Sequence, residues 1–140
     1  PGRVAEIEHI VHKDAATSWR RARRSIATML DIHHYREGVD GEALVWAYRR
    51  LAAIEASRRL LVLVSDGAPM ETATLGVNRL GFLDDHLAAV AAALDARHDV
   101  EVGALTLDAD LSGIFRQSRP IDLDGTLSLG HYEVLADLFG

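Results

Sequence analysis

Apolar residues follow two different rhythms along this chain. Leu60-Leu61-Val62-Leu63-Val64 is an unbroken aliphatic run; such a run without alternation predicts a strand covered on both faces, the habit of a parallel sheet. It stops at Ser65-Asp66-Gly67-Ala68-Pro69, where Gly67 and Pro69 force a turn. Asp66 therefore belongs just past the carboxyl end of that strand, the edge at which open α/β sheets bind ligands. Val100 to Leu107 reads as a second strand and Pro120-Ile121-Asp122-Leu123 as a short third.

Elsewhere the spacing is helical. A first helix is expected from Thr17 or Ser18, either of which can cap it, to about Ile32, with Trp19, Ala22, Ile26, Met29 and Leu30 on one stripe. Glu37-Gly38-Val39-Asp40-Gly41 is a turn. A second helix follows from Glu42 to about Ala56, burying Leu44, Ala47, Leu51 and Ile54. A third, from about Phe82 to Arg97, buries Leu83, Leu87, Val90, Ala91 and Leu94 and carries Asp84 and Asp85 in its first turn, where the helix dipole favours them. A last helix, about His131 to Phe139, buries Val134, Leu135, Leu138 and Phe139. Pro69 to Gly81 remains a long connection of the kind that rims a site. Strands alternating with helices are α/β logic with right-handed crossovers. Three strands are few for such a sheet and two helices precede the first, so a further sheet half is expected upstream; the absence of an initial methionine points the same way.

Composition narrows the class. No repeat or low-complexity tract divides the 140 residues, which read as one domain. The apolar runs are too short to cross a membrane, and the first residues lack a secretory segment. With no cysteine, disulfides and thiolate metal sites are excluded, and a cytoplasmic location is expected. A formal charge of −6 argues against general nucleic-acid binding. Arginine is nevertheless clustered: Arg20, Arg21, Arg23 and Arg24 crowd one segment, which is either a solvated helix face or a docking surface for an acidic partner.

Several chemistries find no support. There is no Gly-x-x-x-x-Gly-Lys loop for ATP hydrolysis and no Gly-x-Ser-x-Gly elbow around Ser65. A phosphotransfer role for Asp66 lacks the second Asp expected nearby, where Ala68 stands. His9 with His12 and His33 with His34 form no recognised metal-ligand set, and His86 reads as a packing or hydrogen-bonding residue.

Val39-Asp40-Gly41-Glu42-Ala43-Leu44-Val45-Trp46-Ala47, followed by Leu61-Val62-Leu63-Val64-Ser65-Asp66-Gly67-Ala68-Pro69, closely resembles the C-terminal von Willebrand A domain of the CobT family. The His9-Ile10-Val11-His12-Lys13 segment, Trp19-Arg20-Arg21-Ala22-Arg23-Arg24, Thr74-Leu75-Gly76-Val77-Asn78 and His86-Leu87-Ala88-Ala89-Val90 extend the likeness, which is strongest from Trp19 to Val90. The resemblance implies an α/β von Willebrand A fold, a Rossmann-like parallel sheet flanked by helices, of which residues 1–140 are the C-terminal portion without the N-terminal strand. It implies a subunit of the ATP-dependent cobaltochelatase of cobalamin synthesis, with Co²⁺ as substrate of the whole complex and no active site of its own. Its implied partners are an AAA+ ATPase subunit and a large corrin-binding subunit, within an oligomeric complex and without nucleic acid or membrane.

In such domains Ser65-Asp66-Gly67 is the third element of a Mg²⁺ site on top of the sheet, with hard oxygen ligands and water completing an octahedron. Asp66, Asp40 and Ser65 are the implied metal residues, Ser65 as a neighbour of the ligands. The chain departs from the family pattern in three places. The Asp-x-Ser-x-Ser motif of the first loop is absent. The loop that usually donates a threonine carries Gly38-Val39-Asp40-Gly41, where Asp40 replaces it, directly or through water, or caps the following helix. From Leu105 on the likeness fades, with Asp108 to Asp110 where the family has a glycine-rich strand end and a His-Asp. The alternatives that stand beside this reading are a generic A-domain interaction module, a magnesium-chelatase-type subunit, and a standalone enzyme using Asp66.

Overall fold

Two aliphatic strands and the helices between them make the core. A computed structural model of the chain describes residues 2–67, 69–107, 109–122 and 129–140. Strands β1 (Leu60–Ser65), β2 (Glu101–Thr106) and β3 (Gln117–Pro120) form one sheet in the order β1-β2-β3, parallel throughout. Leu60 lies opposite Glu101 and Ser65 opposite Thr106; Gly103 lies opposite Gln117 and Thr106 opposite Pro120. Helices α2 (Asp40–Ala52) and α4 (Phe82–Asp95) cover one face, and α5 (Leu129–Leu138) covers the other. On the first face Leu44, Leu87, Ala91 and Leu94 pack on Val102 and Ala104, with Leu61 and Leu63 beside them. On the second, Leu138 and Phe139 pack on Leu105 and Val62. Arg58 fastens the lower end of the sheet, donating to both Glu101 carboxylate oxygens (2.6 and 2.8 Å) and to the Phe139 carbonyl (2.5 Å).

The strand buried on both faces is β2, not β1. Val102 through Thr106 are all buried, whereas Val64 is 59 % exposed. The reason is position. β2 is central, while β1, among the described residues, has a neighbour on one side only. The carbonyls of Arg59 and Ser65 accept from the N–H groups of Glu101 (2.9 Å) and Leu107 (3.0 Å). Alternation along the strand therefore turns the N–H and C=O groups of Leu60, Val62 and Val64 toward the open edge.

Helix α4 matches its sequence pattern closely, burying Leu83, Leu87, Ala91 and Leu94. Other expectations need correction. Helix α1 is Trp19–Ala27, followed by two 3₁₀ turns, Thr28–Leu30 and Ile32–His34, instead of one helix to Ile32. The Thr28 hydroxyl donates to the Ser25 carbonyl (2.6 Å), and the Asp31 carboxylate accepts from His33 N–H (3.0 Å) and starts a separate turn. Of its expected apolar stripe only Ala22 is buried; Trp19, Met29 and Leu30 are exposed, because α1 packs chiefly on the turn that follows it. Helix α2 ends at Ala52, leaving Ile54 exposed. The connection after β1 contains a short helix, α3 (Thr72–Val77), capped by the buried Glu71 carboxylate, which accepts from the N–H groups of Ala73 (3.0 Å) and Thr74 (2.7 Å). The third strand lies three residues earlier than expected, and Leu123, which the sequence reading includes in it, is outside the described residues. Helix α5 begins at Leu129 and leaves Leu135 exposed.

Candidate functional site

At the carboxyl end of β1 the chain runs Ser65-Asp66-Gly67, with Ser65 the last strand residue and Asp66 exposed. Gly67 has φ +98° and its α-carbon faces Ala109 in the loop after β2, so a side chain there would meet both left-handed strain and that loop. The turn that projects Asp66 is thus specified by glycine.

The second half of the site comes from α2. Val39 occupies the N-cap position without a side-chain bond, and Asp40 is the first helical residue. The capping alternative for Asp40 is therefore corrected: its side chain turns to the sheet, where Oδ2 accepts from the Ser65 hydroxyl (3.1 Å). Ser65 Oγ in turn accepts from Gly67 N–H (3.0 Å). Asp40 is half-buried. Burial raises its pKa above the ordinary carboxylate range, the negative charge of Asp66 raises it further, and the Ser65 hydroxyl pulls the other way. The structure thus brings Asp40, Ser65 and Asp66 together at the carboxyl edge of the sheet.

Among the described residues neither carboxylate makes an ion pair, and the negative charge of Asp66 acts on Asp40. A cluster of hard oxygens with concentrated negative charge suits Mg²⁺, but two carboxylates and a hydroxyl giving one oxygen each fill only half of an octahedral shell. Among the described residues no group of three or more His, Asp or Glu side chains is placed to hold a metal ion, so the donor set fits the ion in kind and falls short in number.

The loops around the site are fastened by residues that motif reading passed over. Glu37, just before the Asp40 loop, accepts from Thr72 N–H (2.8 Å) and from the Thr72 hydroxyl, bonds that hold its carboxyl below the usual range. Gly38 and Met70 add an antiparallel bridge beside it. The segment before α2 is thereby stitched to the segment after β1. Thr74, fully buried in α3, accepts from Val4 N–H (3.0 Å) and holds the N-terminal segment down. Only a contact at long sequence separation reveals such residues, and neither Glu37 nor Glu71 is a usual cap type.

A cavity of about 290 Å³ lies beside Asp40, bounded also by Ile7, His9, Glu37 and Val39. A larger cleft of about 1050 Å³ opens at the opposite end of β1, between the Ile10–Ala16 segment, α2 and Leu60. Three histidines have contacts of their own: His9 stacks on Trp46 (4.2 Å between centroids), His12 Nδ1 bonds to the Ser25 carbonyl (2.9 Å), and His86 packs against Gly41. Arg20, Arg21, Arg23 and Arg24 lie on α1, and no hydrogen bond or ion pair links them to the Asp40–Ser65–Asp66 cluster. Asp108, at which the chain departs from the family pattern, is outside the described residues. Among the described residues no helix is long and apolar enough to cross a membrane.

No solved structure was found to match the chain. The family model described as "Cobalamin biosynthesis protein CobT VWA domain" matches residues 1–130. The chain belongs to that family, which ties it to cobalamin biosynthesis, and its parallel sheet flanked by helices is that of a von Willebrand A domain.

Proposed function

We propose that this CobT-type von Willebrand A domain joins subunits of an ATP-dependent cobaltochelatase through a Mg²⁺ ion at the carboxyl end of its sheet, during insertion of Co²⁺ into the corrin ring. The observation that supports the reading is the convergence of Asp40, Ser65 and Asp66, with a direct Ser65–Asp40 bond of 3.1 Å and, among the described residues, no ion pair to either carboxylate. Asp66 and Asp40 would hold the ion, and Ser65 would orient the Asp40 carboxylate. Bound there, Mg²⁺ supplies an electrophilic centre with an open position for a partner's carboxylate. The partners of this reading are the AAA+ ATPase subunit, which supplies the work, and the large subunit that holds the macrocycle. The domain is non-catalytic in this scheme and acts in the cytoplasm.

The open edge of β1 supports a further element of the reading. A parallel strand added beside Leu60, Val62 and Val64 would end next to Asp66 and bring a loop of its own to the ion. Residues 1–140 are then the C-terminal portion of the A domain, and the Asp-x-Ser-x-Ser loop on the added strand completes the ligand set. The test uses the full-length subunit and its Asp66→Asn and Asp40→Asn variants, with nucleotide-free ATPase subunit as partner. Sedimentation velocity with Mg²⁺ and with chelator should show association that needs Mg²⁺ in the parent and is lost in both variants. Association that ignores both chelator and substitutions would overturn the proposal. In calorimetry the 140-residue chain alone should bind Mg²⁺ weakly, since it carries an incomplete shell.

A further inference from the structure

Helix α1 carries a charge arrangement that the rest of the chain does not balance. At 3.6 residues per turn, Trp19, Ala22 and Ile26 form one stripe, while Arg20, Arg21, Arg23 and Arg24 fill a continuous arc of about 160° on the remaining surface. Arg20 faces Arg23 and Arg24, and Arg21 faces Arg24, at the three- and four-residue spacings where like charges destabilise a helix. The first turn holds no acidic residue, so Arg20 and Arg21 also meet the positive end of the helix dipole. Among the described residues none of the four makes an ion pair; the arginines that do are Arg3, Arg58, Arg79, Arg97 and Arg116. Nor do they aid solubility through net charge, because in a chain of −6 they bring the total closer to zero.

Apolar surface adjoins the arc. Trp19 is 64 % exposed, and Leu30 and Ile32, in the turns that continue α1, are 89 % and 76 % exposed. Exposed tryptophan and aliphatics set among arginines have the make-up of a protein interface, whose energetic centre is rich in Trp and Arg. A sheet of phosphates offers nothing to Leu30 and Ile32, and beyond contact range the acidic body of the chain repels a polyanion.

We infer that α1 and the turn after it are a docking surface for a carboxylate-rich amphipathic segment of another protein, its acidic groups pairing with Arg20, Arg21, Arg23 and Arg24 and its apolar side covering Trp19 and Leu30. Guanidinium forks take carboxylates two bonds at a time, so the partner relieves the repulsion within the helix as it binds. This surface is separate from the Asp40–Ser65–Asp66 cluster and needs no metal.

The test titrates the full-length subunit, in chelator, with a labelled synthetic peptide bearing glutamates on one helical face and leucines on the other, read by fluorescence anisotropy. Binding should weaken with salt and fall at least about tenfold in Arg20→Glu/Arg24→Glu. A lysine-for-glutamate version of the peptide should recover binding to that variant. Arg20→Gln/Arg24→Gln, with circular dichroism to confirm the fold, should lose affinity in the same direction if reversal disturbs the helix. Charge reversal at Arg116 and Arg119 should leave peptide binding as in the parent. The inference is overturned if the α1 substitutions have no effect, if the Arg116 and Arg119 reversal weakens binding equally, or if phosphatidylserine vesicles or duplex DNA bind more tightly than the peptide.

Discussion

Replacing Gly41 with alanine tests how α2 is seated, and with it the position of Asp40. Gly41 is buried in the first turn of α2 where that helix crosses α4. A methyl group there would lie 2.5 Å from His86 Nδ1, 2.9 Å from His86 Cε1 and 3.3 Å from the Leu87 backbone nitrogen. In an exposed helix the change would stabilise by up to about 1 kcal/mol, because alanine loses less conformational freedom than glycine. Here the methyl has no room. The His86 ring is half-exposed and can swing aside, but the Leu87 backbone belongs to a fully buried residue and cannot. An approach as close as 2.5 Å belongs in the upper part of the overpacking range, about 2–3 kcal/mol, so after the gain of about 1 kcal/mol the net effect is a loss of about 1–2 kcal/mol. For a chain of this size that corresponds to a fall in Tm of about 3–6 °C. Urea unfolding followed by circular dichroism measures it, and a double-mutant cycle with His86→Ala isolates its cause. The double variant should be more stable than the sum of the single changes predicts, because shortening His86 removes the nearest clash. A Gly41→Ala chain as stable as its parent, or an additive cycle, would refute the close approach of α2 and α4.

Asp40→Asn should stabilise the metal-free chain at neutral pH, since asparagine keeps an acceptor for Ser65 without the charge that burial and Asp66 disfavour. Because the folded-state pKa of Asp40 is raised, its protonation contributes stability that is present at low pH and lost as pH rises through that pKa; the advantage of the variant should shrink on acidification, and an advantage that grows instead would contradict the assignment. Leu87→Ala, at a fully buried core position against β2, should cost about 3–4 kcal/mol in the same urea experiment, while a loss near zero would show that the α4 face is not packed as described.

The local rules of the sequence carried the parts of the fold that local rules control. The period of Leu83, Leu87, Ala91 and Leu94 is that of a one-sided helix, and α4 has those residues buried. The aliphatic run ending at Ser65 is a strand, with Asp66 just beyond it. The errors arose where a neighbour decides. Whether Leu60–Val64 is covered on both faces depends on what lies beside it, and periodicity in one segment cannot say. Trp19, Met29 and Leu30 make an apolar stripe that finds no core to enter. Asp40 shows the same limit within the site: an aspartate at the start of a helix reads as a cap, and only the approach of Ser65 from across the chain turns it into part of a carboxylate cluster. Glu71 caps a short helix inside a stretch whose sequence reads as a connection, because glutamate is an uncommon cap.

The bare flank of β1 also bears on how this stretch of chain behaves as an isolated molecule. Among the described residues nothing pairs with the outer backbone donors and acceptors of β1, and such a row beside exposed Leu60 and Val64 is a template for any other extended chain, including a second molecule in the same orientation. The charges of Arg58, Arg59 and Asp66 stand at its two ends as gatekeepers, and between them nothing interrupts the aliphatic run. Expressed alone, the 140 residues should therefore self-associate along this edge as concentration rises, which sedimentation velocity over a dilution series would measure. On the reading proposed above, a neighbouring strand laid beside β1 would cover this edge and so act as a solubility device as well as a carrier of ligands.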